Sequence, residues 1–339
     1  MKAMLLERIV SVDTCDEPLR HSEVPKPEPG AGEIRIAVSA CGVCHTELDE
    51  IEGRTAPSRL PVVPGHEIVG RVDSVGQSVT RFQPGDRVGV GWIHSSDGSD
   101  SENLSPTFRA TGRDVNGGYA EFMTVGEHYA CPIPDQFSDE EAAPLLCAGA
   151  IGYRALRLCN LADGQRLGLT GFGGSAHIVL QLARHLYPNT RIYVFARDAA
   201  SRKFAGELGA DWVGPTEARA PLALHAIIDT TPAWAPVVLA LANLAPGGRL
   251  VINAIRKEDA DKSALRNLSY HEHLWMEREI KSVANITHRD IAEFLPIAAA
   301  IPIRPEISVY PLANANEALV SLKREPVRGA KVLRVKARI

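Results

Sequence analysis

Apolar and polar residues alternate with a two-residue period through the first third of the chain. In EIRIAVSACG, from Glu33, the positions Ile34, Ile36 and Val38 fall on one side, as in a half-buried strand. IVGRVDSVGQSV from Ile68 and DRVGVGWI from Asp86 follow, separated by Gly and Pro turn signals. GGYAEFMTVGEHYACPIP, from Gly117, returns to strands. Up to about residue 135 no long helical period appears, which predicts a compact, partly open β barrel or sandwich.

The period changes near residue 140. SDEEAAPLLCAGAIGYRALRL opens on Ser138 as N-cap with Glu141 three residues on, a capping-box spacing that predicts a helix. GQRLGLTGFGGSAHIVLQLARHL then reads as strand, Gly-rich turn and helix, RIYVFARD as a second strand, and AASRKFAGELGADWVG as a second helix. HAIIDTT, a helix and LAPGGRLVINAI continue the alternation, which predicts a parallel sheet covered on both faces. From about residue 286 the pattern is mixed again. ISVYPLANANEALVSLKREPVRGAKVLRV reads as strand, helix, Gly turn and strand, and these strands are expected to rejoin the first domain.

A chain of 339 residues exceeds one ordinary core, so two domains are expected. A net charge of -4 gives no electrostatic reason to expect nucleic acid or an anionic membrane as partner. No apolar run is long enough to span a bilayer, and no secretory signal is visible at the start. The 6 cysteines are scattered, which points to reduced thiols and a cytoplasmic setting rather than a disulfide framework.

Chemistry concentrates between Cys41 and Gly76. Cys44 and His66 flank a Pro-rich loop, each followed closely by a carboxylate, Glu47 and Glu67. Thiolate and imidazole suit zinc, and a carboxylate beside a ligating His fixes its ring. The candidate third ligand is Cys147, which would leave a fourth position open as in a catalytic site. From residue types alone the alternative stays open that both cysteines are small buried hydrophobes and His66 a core histidine. Cys41, which completes a CGVC, reads as structural because it lies on a strand end. Gly171-Phe172-Gly173-Gly174-Ser175-Ala176 matches G-x-G-x-x-G/A between a strand and a helix, the setting in which backbone amides receive a pyrophosphate. At the end of the next strand the usual ribose-binding acid is replaced by Ala196, with Arg197 and Asp198 after it. Arg197 can pair with a 2′-phosphate, which tilts the expectation towards NADP; Asp198 could instead reach the ribose.

CGVCHTE, PGHEIVGRVDSVG, GGYAE, AAPLLCAG, GFGGSAH and the closing PLANANEAL and RGAKVL, in this order over nearly the whole chain, resemble the zinc-dependent alcohol dehydrogenases of the medium-chain dehydrogenase/reductase superfamily. The resemblance implies an α/β protein with a GroES-like β-rich catalytic domain, residues 1–150 and 287–339, around a Rossmann doubly wound domain, residues 151–286. It implies a catalytic zinc on Cys44, His66 and Cys147, with Glu67 a conditional ligand and Glu47 the carboxylate that orients His66. Thr46 matches the hydroxyl that bonds the substrate oxygen, and His45 a basic position near the pyrophosphate. Asn253 joins the Gly171–Ala176 turn and Arg197 among the cofactor-binding residues, and Trp92 and Ile93 fall beside the substrate pocket.

The implied reaction is reversible hydride transfer between a primary alcohol, aliphatic or aromatic, and NAD(P). A homo-oligomer, dimer or tetramer, is expected. Two departures stand out. The lobe before GGYAE holds none of the four cysteines of the family's structural zinc, so one zinc per chain is expected. Asp49 stands where many members carry a relay histidine, which leaves the proton route open to His45, the ribose hydroxyl or water. The rivals are a zinc-free quinone or enone reductase on the same fold and a catalytically silent dinucleotide-binding regulator.

Overall fold

The computed structural model describes residues 1–301, 303–325 and 329–335. Arg328 of the closing RGAKVL motif, in the expected last turn, lies outside the described residues. The chain forms two compact units, Met1–Ala150 with Asn285–Ile339, and Ile151–Ala284.

The first unit is GroES-like and is built on the strand Glu33–Val43. It pairs antiparallel with Ile68–Val75, with Phe122–Gly126 and with Ala330–Arg334. The sheet continues through Arg87–Val90 to Ala130–Pro132 on one side and through Ala330–Arg334 to Ile307–Pro311 on the other. The last two strands of the chain therefore close the first sheet. Ile34, Ile36, Val38, Ile68, Val88 and Val90 are at most 1% exposed and form its core. Each such side chain contributes about 1.5–3 kcal/mol relative to exposure. Strict alternation fails beyond Val38, because two register shifts against Ile68–Val75 and burial on both faces turn Ala40–Val43 inward as a block.

Two local elements differ from the sequence reading. His45–Ile51 is a helix, and Thr46 through Ile51 are all buried. Its buried positions are mostly polar, Thr46, Glu47, Asp49 and Glu50, so no apolar stripe of helical period marks it. The predicted helix from Ser138 does start there, with Ser138 and Glu141 bonded reciprocally at 2.8 and 3.2 Å. It then tightens to a 3-10 turn over Ala143–Leu146, breaks at Cys147 (φ -126, ψ -75), and resumes as Ala148–Leu158.

The second unit is a Rossmann domain. Its 6-stranded sheet is parallel throughout and runs Trp212–Gly214, Arg191–Phe195, Arg166–Thr170, Leu224–Asp229, Leu244–Ile252, Glu279–Ser282. The order of the strands along the sheet reverses between Arg166–Thr170 and Leu224–Asp229, the switch point at which such sheets take ligands. Helices Ala176–Leu186, Ala199–Glu207 and Ala235–Leu241 connect the strands. The short strand Trp212–Gly214 lies in the stretch read as the tail of the second helix.

Candidate metal centre and dinucleotide turn

Cys44 follows the strand Glu33–Val43 directly and caps the helix His45–Ile51 in extended geometry (φ -117, ψ 162). Glu47, in the first turn of that helix, uses both carboxylate oxygens. One accepts the Cys44 N–H at 2.8 Å, and the other lies 2.5 Å from His66 Nδ1. The imidazole is thus fixed through Nδ1, while its Nε2 is buried and has no hydrogen-bond partner. Glu67 follows on the same turn, and glycine at 42 makes room for it. A Cβ at Gly42 would stand 1.7 Å from Glu67 Oε2. Cys147 arrives from the break after the 3-10 turn.

The donor atoms of Cys44, His66, Glu67 and Cys147 lie within 4.8 Å of one another. Among the described residues no other group of three or more His, Cys, Asp or Glu converges in this way. The Cys44 thiol is held well below its ordinary value, chiefly by a hydrogen bond from Cys147 and then, against the cost of burial, by His66. Burial, and then the charge of Cys44, pushes the Glu67 carboxyl well up. Two cysteine sulfurs, an imidazole nitrogen without a partner and a buried carboxyl form a donor set that a soft-to-borderline dication satisfies, which is the composition of a zinc site. Zinc fits the residues present.

Thr46 is 5% exposed, and its hydroxyl lies 3.6 Å from Cys44 Sγ. His45 is exposed at the start of the helix. Asp49 is fully buried and bonded to Arg54 Nε at 2.5 Å, so a fixed ion pair occupies the relay position. Cys41 is completely buried within the strand. Trp92 is half-buried with its ring centroid 6.1 Å from that of His66. Its indole N–H donates to Glu50 Oε1 at 3.2 Å, Phe108 meets it edge-on, and Arg113 lies over its ring at 5.3 Å. Glu50 carried no signal in the sequence. It is 1% exposed, and burial followed by repulsion from Glu47 pushes its carboxyl well up. Ile93, next to Trp92 in the chain, is 0% exposed and packs in the core of the first unit.

The lobe without cysteines is held by another device. Glu102 is 0% exposed. Its Oε1 accepts the His288 N–H at 2.8 Å and lies 2.7 Å from His288 Nδ1. Its Oε2 accepts the Tyr129 hydroxyl at 3.3 Å, and its backbone carbonyl accepts Ser96 Oγ at 2.8 Å.

In the second unit Gly171 has φ +77, and a Cβ there would meet Thr230 Oγ1 at 2.8 Å. Gly173, Gly174 and Ser175 are partly exposed, and the helix begins at Ala176. Arg197 is exposed just beyond the end of Arg191–Phe195. Asp198 is the N-cap of the next helix, its Oδ1 accepting the Ser201 N–H at 2.7 Å. Asn253 follows the strand Leu244–Ile252; it is 8% exposed and its Nδ2 has no partner.

A GroES-like sheet with a thiol–imidazole–carboxylate set, in one chain with a Rossmann sheet, defines a two-unit dehydrogenase. Residues 30–135 match the alcohol dehydrogenase GroES-like domain. The chain is 42% identical over 344 residues to a probable alcohol dehydrogenase (AdhA) of Mycobacterium tuberculosis, covering 98% of this chain and 97% of the relative. It is 32% identical over 354 residues to an alcohol dehydrogenase of Geobacillus stearothermophilus, covering 99% and 100%. Among solved structures, a cinnamyl alcohol dehydrogenase of Sorghum bicolor superposes with a TM-score of 0.82 at 25% identity, over 100% of this chain and 99% of that one. The chain belongs to the alcohol dehydrogenases of the medium-chain dehydrogenase/reductase superfamily, enzymes that interconvert alcohols and aldehydes.

Proposed function

We propose that this alcohol dehydrogenase depends on one zinc ion held by Cys44, His66 and Cys147, with Glu67 as exchangeable fourth donor, and works with NADP(H) in preference to NAD(H). The observation that carries the zinc is the buried, unpartnered Nε2 of His66, left free because Glu47 occupies Nδ1. It also disfavours the zinc-free reductase and the silent regulator, neither of which needs such a nitrogen. When bound, zinc supplies Lewis acidity to a hydroxyl or carbonyl oxygen, and the nicotinamide accepts or returns the hydride.

The chain's own residues do the rest. Glu47 fixes the tautomer of His66. The Thr46 hydroxyl, beside Cys44, holds the proton of the reacting alcohol, and exposed His45 next to it passes that proton to solvent while Asp49 stays locked on Arg54. Trp92 offers an apolar wall suited to aliphatic or aromatic primary alcohols. Buried Ile93, next in the chain, backs that wall from the core side. Amides of the Gly171–Ala176 turn receive the pyrophosphate, and Arg197, with Ala196 where an acid would repel it, receives the 2′-phosphate. The unit Met1–Ala150 with Asn285–Ile339 is read as catalytic and Ile151–Ala284 as the dinucleotide unit.

The partner surface is the sheet edge Glu279–Ser282. There Ile280 (44%), Trp275 (51%) and Met276 (50%) are exposed on or just before an edge strand, a surface suited to a second copy of the chain. The 6 cysteines are free, which suits a reducing cytoplasm. No helix of the described residues is long and apolar enough to cross a membrane.

Removing metal with a chelator should abolish alcohol oxidation, and added zinc should restore it in the native chain but not in His66→Ala. Full alcohol oxidation by metal-free protein, or enone reduction in its place, would overturn the reading.

A further inference from the structure

A buried ion pair sits at the switch point of the parallel sheet. Asp229, the last residue of its strand, is 0% exposed, and its Oδ2 is bonded to Lys257 Nζ from the loop after Leu244–Ile252. The other oxygen accepts Thr170 Oγ1 at 2.6 Å and Thr231 Oγ1 at 2.8 Å. The ammonium also donates to the carbonyls of Thr231, at 2.6 Å, and Ala233, at 3.0 Å. These bonds tie two strand ends to the loop that follows a third strand. Thr170 immediately precedes Gly171, Thr231 and Ala233 follow Asp229, and Lys257 lies shortly beyond Asn253.

Burying two charges is a poor route to stability, because desolvation cancels most of their attraction and apolar pairs of similar volume commonly do as well. What the pair fixes is position. Thr230 N–H and Oγ1 both donate to Thr170 O, at 2.9 and 3.0 Å, and the Thr230 hydroxyl closes on Gly171. On the other side the Asn253 N–H donates to Asp229 O at 2.7 Å. The Asn253 carboxamide is thereby anchored through its backbone while its buried Nδ2 has no acceptor. A buried amide donor without a partner is costly, and a ligand oxygen is the partner that relieves it.

We propose that Asp229 and Lys257 are positioning residues for the dinucleotide: their pairing sets the Gly171 turn and the Asn253 carboxamide in one arrangement, so that Nδ2 meets an oxygen of the bound cofactor. The proposal rests on the reading of Gly171–Ala176 as the dinucleotide turn. It makes the pair an element of affinity rather than of stability.

The test titrates NADPH and NADH into the full chain carrying Lys257→Met, Asn253→Ala, both together, or the apolar pair Asp229→Leu with Lys257→Met. Unfolding of each is followed without cofactor. Lys257→Met and Asn253→Ala should each weaken binding about tenfold, and their effects should fall short of additive because they act on one contact. The apolar pair, in which the Thr170 and Thr231 hydroxyls lose their acceptor, should still unfold closer to the native chain than Lys257→Met does, yet keep the weakened affinity. Native affinity in the apolar pair, or fully additive losses, would overturn the positioning role while leaving the dinucleotide reading intact. A native chain that binds neither NADPH nor NADH would overturn that reading and the proposal together.

Discussion

The imidazole of His66 is held at one nitrogen and left without a partner at the other, and this asymmetry separates a ligand from a core histidine. The residue types alone allowed both. The spacing of Cys44, His66 and Cys147 carries no local motif, since the third thiol comes from a helix break about eighty residues downstream. Only likeness across the whole chain singled these residues out, and the structure brings their donor atoms together with Glu67. Asp198 shows the opposite case. Its type suits a ribose, and one of its carboxylate oxygens caps a helix N-terminus. Exposed Arg197 is the side chain proposed to read the 2′-phosphate. Arg197→Ala should raise the KM for NADPH about tenfold to a hundredfold with little change for NADH, the scale of one charge-assisted contact. Initial rates with the two cofactors check this, and equal effects on both would remove the phosphate contact.

Among the elements, those with a clean period were legible and those buried on all sides were not. Strand Glu33–Val43 and the alternation after residue 160 could be read directly, whereas the helix His45–Ile51 buries mostly polar side chains and offers no apolar stripe to betray it. The lobe over residues 93–110 could be described from sequence only by the cysteines it lacks. The structure supplies the device that holds it, because Glu102 reaches His288, a partner 186 residues away that no local pattern could predict. Glu102→Ala leaves the His288 and Tyr129 donors unpaired. It should cost about 3 kcal/mol and speed amide exchange in this lobe, with no dependence on chelator. Protection unchanged in the variant would mean that packing alone holds the lobe.

A second tie joins the neighbouring strands Glu33–Val43 and Ile68–Val75 in the sheet of the first unit. Burial alone would raise the Asp73 carboxyl, but bonds from Arg35 at 2.6 Å and Lys26 at 3.0 Å outweigh it and hold the group below its ordinary value. With the folded value depressed, its stabilisation is present above about pH 3.9, the unfolded value, and is lost as pH falls through the lower folded value. Asp73→Asn should therefore lower stability at neutral pH and flatten the acid limb of the stability curve below about pH 4, as read by denaturant unfolding at stepped pH.

For the molecule as a whole, the proposed function divides the work between a unit that carries the four converging donors and a unit that carries the Gly171–Ala176 turn. The exposed apolar residues at the edge Glu279–Ser282 predict a second copy there. Ile280→Lys should shift the mass measured by light scattering towards the monomer while each unit stays folded, and an unchanged mass would place the contact elsewhere. The account turns on what the four converging donors bind. X-ray absorption at the zinc edge on purified holoprotein, with metal quantified per chain, asks this directly. The prediction is about one zinc per chain with two sulfurs near 2.3 Å and lighter N/O donors near 2.0–2.2 Å. A chain that purifies active without zinc, or a zinc ringed by four sulfurs or by none, would contradict it.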